Sequence, residues 1–184
     1  MLQKLSRLVE SIATLRVLAL LILLATLFPV VLFPAAGIGD GRPLDLYFSY
    51  SPDQAHEYLG GLGANGRSAY AEMGLTIDLL FPVVYSLALI VALMMAARSV
   101  LPPDSRLQYL CFFPVLVVIA DWGENLSLAI VIRAFPDRVD VVATAASLFT
   151  SLKWTFLMLV VMTLVTAVAF VVTRQLRGRF ARRG

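Results

Sequence analysis

The run LQYLCFFPVLVVIADWGENLSLAIVI, Leu107 to Ile132, decides how this chain is read. It is long and apolar enough to cross a hydrocarbon core of about 30 Å as a helix, which needs roughly 20 residues. Near its middle, however, stand two carboxylates and an amide in the phrase Asp121-Trp122-Gly123-Glu124-Asn125. An ionised side chain at the centre of a spanning helix costs about 2.5–3.5 kcal/mol on insertion scales. A helix that carries two such groups belongs in a bundle whose interior answers them. The run therefore predicts the fold class and one wall of a candidate site together.

Three further runs share its character. Val17 to Phe33 is uncharged between Arg16 and Pro34, Leu79 to Ala97 is uncharged up to Arg98, and Trp154 to Thr173 is uncharged up to Arg174. With 60% hydrophobic residues over 184 positions, the chain exceeds the composition of a soluble domain. Its mean hydropathy of +0.86 agrees. The reading is all-α: an integral membrane four-helix bundle forming one domain, with approximate spans at 17–34, 74–97, 107–132 and 141–173. Lys4 and Arg7 ahead of the first run, with Pro34-Ala35-Ala36 behind it, have the outline of a signal peptide. The run is long for that role and Pro34 suits a cleavage site poorly, so an uncleaved first span is expected.

Charge sets an orientation. Lys4, Arg7, Arg16, Arg98, Arg106 and the tail arginines Arg174, Arg177, Arg179, Arg182 and Arg183 fall on one side, while the loops at 35–66 and 133–140 mix signs. The positive-inside rule places both termini in the cytoplasm, in a plasma (inner) membrane. The basic tail at 174–184 then reads as an anchor to anionic lipid, not as a nucleic-acid reader. Residues 2–16 are amphipathic, with Leu2, Leu5, Leu8, Val9, Ile12 and Leu15 at helical spacing opposite Lys4, Arg7 and Ser11, which predicts an interfacial helix. Pro29 should kink the first span.

The extracytoplasmic loop, 35–66, carries a short helix of its own. Ser51 is set as N-cap, Pro52 as first helical residue, Gln54 as the partner that closes a capping box, and Gly60-Gly61 as the stop. A further helix is expected to start near Asn65 to Arg67 and to run unbroken into the second span. A loop with its own helix above the span ends can act as a lid or plug. Gly61-Leu-Gly63-Ala-Asn-Gly66 spells a dinucleotide fingerprint, but no strand precedes it, so it reads as a break between helices.

Depth counting predicts convergence. From the cytoplasmic boundaries at Ala97, Leu107 and Thr173, at ~1.5 Å per residue, Asp78 lies about 29 Å in, Glu124 about 26 Å, Asn125 about 27 Å and Lys153 about 30 Å. By the same count Asp121 lies at roughly 21 Å and Tyr85 at roughly 18 Å. Asp121, Glu124 and Asn125 share a helix face at i, i+3 and i+4, and Arg67, Gly74, Asp78, Pro82 and Tyr85 share another by the same rule. Ser147, Thr150 and Trp154 form a stripe on the fourth helix, with Lys153 beside it. The candidate ligand-binding residues are Asp121, Glu124, Asn125, Asp78, Lys153, Tyr85, Trp154, Thr150 and Arg67. On this count Glu124 is answered by Lys153, whereas Asp121 is deeper and has no evident partner.

Three carboxylates against one ammonium cannot all be ionised in a low dielectric, which suits a counter-ion site or proton exchange. The function expected is binding or transport of an amphiphilic, cationic or lipid-like small molecule in an acidic pocket open to the extracytoplasmic side. A structural subunit with a locking polar layer, and an acid/base enzyme acting on a lipidic substrate, are the alternatives. The partners expected are membrane lipids and a small amphiphilic ligand, with oligomerisation not indicated. The single histidine, His56, is in the loop and the single cysteine, Cys111, is in a span, so no His/Cys metal site and no disulfide can form. No metal and no cofactor is expected.

Overall fold

The computed structural model describes residues 2–37, 42–102 and 105–180, with side chains from Gln3 to Arg174. It is all-α, 87% helical, with no strand among the described residues. Helices α1 (Leu2–Ile12) and α2 (Leu15–Leu27) are followed by a strap at 42–51, then α3 (Pro52–Gly61), α4 (Gly63–Leu75), α5 (Ile77–Val100), α6 (Pro114–Ala134) and α7 (Asp140–Phe180). Four helical stretches are long and apolar enough to cross a membrane: Leu15–Ala35, Gly63–Val100, Arg106–Ala134 and Asp140–Arg174. Of the tail arginines only the side chain of Arg174 is described; Arg182 and Arg183, like loop residue Asp40, lie outside the described residues.

Local chemistry explains the breaks between these helices. Thr14 caps α2 by accepting from Val17 N at 3.3 Å. At Pro29, which has no N–H to donate, α2 opens into a π turn at Phe28–Leu32 before a last turn at Phe33–Ala35. Ser51 and Gln54 close the capping box of α3, with Gln54 N donating to Ser51 Oγ at 3.2 Å and Ser51 N to Gln54 Oε1 at 2.8 Å. The helix expected to run unbroken into the second span is in fact interrupted at Thr76, where the backbone leaves helical geometry at φ −128°, ψ −85°. The Thr76 hydroxyl donates to Glu72 O at 2.5 Å, a local bond that competes with helix propagation.

Along the bundle the order is apolar, polar, apolar. One apolar cluster gathers Leu44, Tyr50, Ala55, Leu59, Tyr70, Met73, Leu128, Val131, Ala143 and Ala146 at the strap end. The other gathers Ala13, Val91, Leu93, Met94, Cys111 and Val160 at the far end. Between them lies a buried polar layer that includes Asp78, Asp121, Glu124, Asn125, Thr150 and Lys153. Outside, α2 and the second half of α7 present an apolar surface, with Leu23, Val30, Met158, Met162, Val165 and Phe170 all exposed. On α1, Leu5, Leu8 and Ile12 face outward, while Ser6 and Ala13 are buried and Arg98 Nη1 of α5 donates to Glu10 O at 3.1 Å.

The α6–α7 pair is the most extensive helix contact, and Gly123 sets its distance. A Cβ at Gly123 would stand 2.7 Å from Phe149 Cδ1 and Cε1, inside contact distance. Gly123→Ala is expected to force the two helices apart and cost about 1–3 kcal/mol. Thermal melting in detergent should fall by roughly 5 °C for a chain of this size, and the added substitution Phe149→Leu should recover most of the loss.

Candidate functional site

A proline inside α5 organises the layer. Pro82 has no N–H for the carbonyl of Asp78, and its ring crowds that carbonyl and its neighbour. Side chains of α6 bond to the freed Asp78 oxygen and to the next carbonyl along, that of Leu79. Asn125 Nδ2 donates to Asp78 O at 3.2 Å, and Trp122 Nε1 donates to Leu79 O at 2.9 Å. Two residues of the Asp121–Asn125 phrase thus repair the helix beside them, which locks the rotation of α6 against α5. Gly74 packs beside Asn125, where a Cβ would make an ordinary contact 3.7 Å from Asn125 Oδ1.

With α6 held in this way, its carboxylates turn toward α7 and α5. Lys153 Nζ stands 2.5 Å from Glu124 Oε2 and 4.0 Å from Asp121 Oδ2. The 2.5 Å contact is an ion pair whose direction does not satisfy a hydrogen bond at Oε2. Thr150 Oγ1 donates to Glu124 Oε1 at 2.7 Å, and Tyr85 OH donates to Asp121 Oδ2 at 2.9 Å. Asn125 Nδ2 also donates to Asp121 Oδ1 at 3.3 Å. Glu124 and Thr150 are 0% exposed, Asp121 4%, and Lys153 7%. Asp121 therefore has three polar neighbours, Tyr85, Asn125 and Lys153, and its expected lack of a partner is corrected. The Lys153 side chain spans the depth difference by reaching along the bundle, which counting by Cα position alone does not capture.

The layer is covered where an open mouth was expected. The strap folds back across the strap end of the bundle, and α7 holds it by three main-chain bonds. Ser147 Oγ accepts from Tyr50 N at 2.9 Å, Ser151 Oγ donates to Phe48 O at 2.9 Å, and Trp154 Nε1 donates to Asp45 O at 3.0 Å. The strap also brings in a fourth carboxylate. Asp45 accepts from Tyr70 OH at 3.5 Å and interacts electrostatically with Asp78, Asp121, Glu124 and Lys153. Tyr50 is buried and points its hydroxyl toward Thr150 without closing a hydrogen bond. Burial, with the charges of Glu124 and Asp45 adding, pushes its phenol well above the ordinary value of 10.

Seven of the nine residues expected at the site are brought together: Asp78, Tyr85, Asp121, Glu124, Asn125, Thr150 and Lys153. Trp154 stands at the edge as a strap anchor. Arg67 does not belong to the group. Its guanidinium lies 4.1 Å over the Phe135 ring, and its Nη1 donates to Leu59 O at 3.0 Å, at the end of α3. The face shared by Arg67 and Asp78 on paper is broken by the turn at Thr76, so helical spacing does not carry across it. Asp45, Tyr50 and Ser147 were not singled out as site residues. Asp45 had one signal, a lone charge in the apolar stretch Leu44-Asp45-Leu46-Tyr47-Phe48.

No protein-family model, no curated protein and no solved structure matches the chain. Among the described residues no three of His, Cys, Asp and Glu are grouped to hold a metal ion. Beside Gly74 and Asn125 is a void of about 10 Å³, at the lower limit for one water. What the layer can do is exchange or balance positive charge: one ammonium among four carboxylates.

The ion pair and the strap each generate an expectation. Lys153→Met should cost about 3–5 kcal/mol, because it leaves two carboxylates buried without their cation. Adding Glu124→Gln should return much of that stability, a coupling that denaturation of the single and double variants would measure. Trp154→Phe removes the indole N–H that holds Asp45 O, a bond worth about 1 kcal/mol. Amide hydrogen exchange over Asp45 to Tyr50 should then accelerate about fivefold while exchange in α6 stays unchanged.

Proposed function

We propose that this chain is a small polytopic membrane protein whose acidic layer binds or transports an amphiphilic, cationic or lipid-like small molecule. The ligand comes from the extracytoplasmic side, beneath the strap. Both termini are cytoplasmic in this reading, so the far end, with Arg98, Arg106 and Arg174, faces the cytoplasm of a plasma membrane. The outward apolar face of α1 rests in the interface.

The observation that carries the reading is the charge imbalance of a buried layer. Asp45, Asp78, Asp121 and Glu124 stand against Lys153 alone among the described residues there. Desolvating carboxylates is costly unless a proton or cation compensates them. A cationic head group supplies that compensation, and an apolar tail has lipid-facing surface on α2 and α7 to follow. The strap supports access from its own end, since it is held by three hydrogen bonds to side chains of α7 and not by continuous secondary structure.

A second reading, a structural subunit whose polar layer only fixes helix packing, is favoured by the way Asn125 and Trp122 cap the carbonyls near Pro82. Native mass spectrometry separates the two. Under the binding reading, protein released from mild detergent carries a small-molecule or lipid adduct, and Asp121→Asn sheds it while melting within about 3 °C of the parent, a shift of roughly 1 kcal/mol or less. Bare spectra throughout, or collapse of Asp121→Asn in detergent, would transfer the case to the structural reading.

A further inference from the structure

Between the strap and α3 is a cleft of about 300 Å³ that is lined by none of the layer's carboxylates. Leu44, Tyr47 and Tyr50 of the strap line it together with Gln54, Glu57 and Tyr58 of α3. Its size is at the small end of the ligand-site range of roughly 300–1,000 Å³. The composition is unusual for a surface groove: three phenol rings, one carboxylate, one amide and one leucine, with no cationic side chain in the lining.

Such a set recognises one kind of group. An aromatic ring is negative over its face, and several rings with a carboxylate attract a cation that has few hydrogen bonds to offer. A quaternary ammonium fits that description, because it loses little hydration on entering and gains contact with every ring. A small, strongly hydrated cation gains much less.

Two features of the cleft support this independently of its shape. A cation already sits on one of its rings: the Arg42 guanidinium lies 4.6 Å from the Tyr47 centroid and is tethered by a hydrogen bond from Arg42 Nη2 to Leu46 O. Two of the rings are also held in place. Tyr58 packs edge-on against Tyr70 at 5.7 Å, and Tyr50 is fixed through its backbone N–H to Ser147 Oγ. Burial, with Asp45 adding its charge, pushes the Tyr58 phenol up to about 12. Tyr47 is 39% exposed and so reachable from solvent.

We infer that this cleft binds a quaternary ammonium group, with Tyr47, Tyr50 and Tyr58 as the aromatic walls and Glu57 as the counter-charge. The group can arrive as a free choline-type cation or as the head group of a phosphocholine lipid. The site does not include Asp121, although Tyr50 borders both the cleft and the acidic layer.

Calorimetric titration of the full chain in a maltoside detergent tests this, with tetramethylammonium chloride as probe and sodium chloride at equal ionic strength as control. Saturable binding is expected for tetramethylammonium only. Tyr47→Ala should weaken it about fivefold, the range of a single cation–π contact, while Tyr47→Phe should leave it unchanged. Glu57→Gln should weaken it, and Arg42→Gln should tighten it by removing a competing like charge, a gain that misfolding cannot imitate. Asp121→Asn should have no effect. Nanodiscs distinguish the sources: phosphatidylcholine abolishes the signal and phosphatidylglycerol preserves it if the lipid head group is the occupant, whereas a free cation binds in both. Absence of binding above the sodium control overturns the inference, as does equal loss with Tyr47→Phe and Tyr47→Ala. Loss with Asp121→Asn but not with Tyr47→Ala would place the cation in the acidic layer and overturn it too.

Discussion

A proline within a buried helix leaves carbonyl oxygens that something nearby must satisfy, and here the rest of the bundle is arranged around that need. In an apolar interior an unpaired carbonyl costs far more than it does in water. Pro82 removes the donor for Asp78 O, which Asn125 supplies instead, and Trp122 donates to the neighbouring carbonyl, Leu79 O. That requirement fixes how α6 is rotated, which in turn decides where Asp121 and Glu124 point. Gly123, between Trp122 and Glu124, permits the close approach of α7 at Phe149, and the approach brings Lys153 to both carboxylates. One phrase thus repairs α5 on one side and builds an ionic layer on the other.

Most of the carboxylate oxygens of Asp121 and Glu124 are answered by donors within the layer. Thr150, Tyr85 and Asn125 each place a donor on a carboxylate oxygen, and the ammonium of Lys153 lies between the two acids. Ion pairs of this kind are poor sources of net stability but penalise any arrangement that separates their members. Register along the bundle is therefore set by charge in its middle and by shape at its ends, in the hydrophobic clusters around Leu59 and Met94.

Much of this was legible because the rules involved are local or periodic. Hydropathy runs are legible since a helix buried in lipid tolerates few charges, and the Ser51–Gln54 capping box because its partners lie within one turn. Depth counting brought Asp78, Glu124 and Lys153 to one level because helices rise uniformly. It failed where that uniformity ended: the turn at Thr76 took Arg67 out of line and across to Phe135. The strap was illegible for a different reason. Its anchors are main-chain atoms of Asp45, Phe48 and Tyr50, paired with side chains roughly a hundred residues away, and main-chain groups are the same in every residue. The part played by Trp122 was hidden similarly, since an indole N–H that seeks a carbonyl leaves no pattern until the proline opposite it is placed.

The apolar cluster of Val91, Met94, Cys111 and Val160 has a consequence for traffic. Above it, polar side chains follow one another from Tyr85 through Asp121, Lys153, Glu124 and Thr150 toward Tyr50; below it, this file of polar groups stops. Under the binding reading proposed above, a ligand of the layer would enter and leave from the strap end alone in this conformation, and so would sample one side only. Under the same reading, carrying it onward would demand a second shape in which Met94, 0% exposed here, is drawn aside.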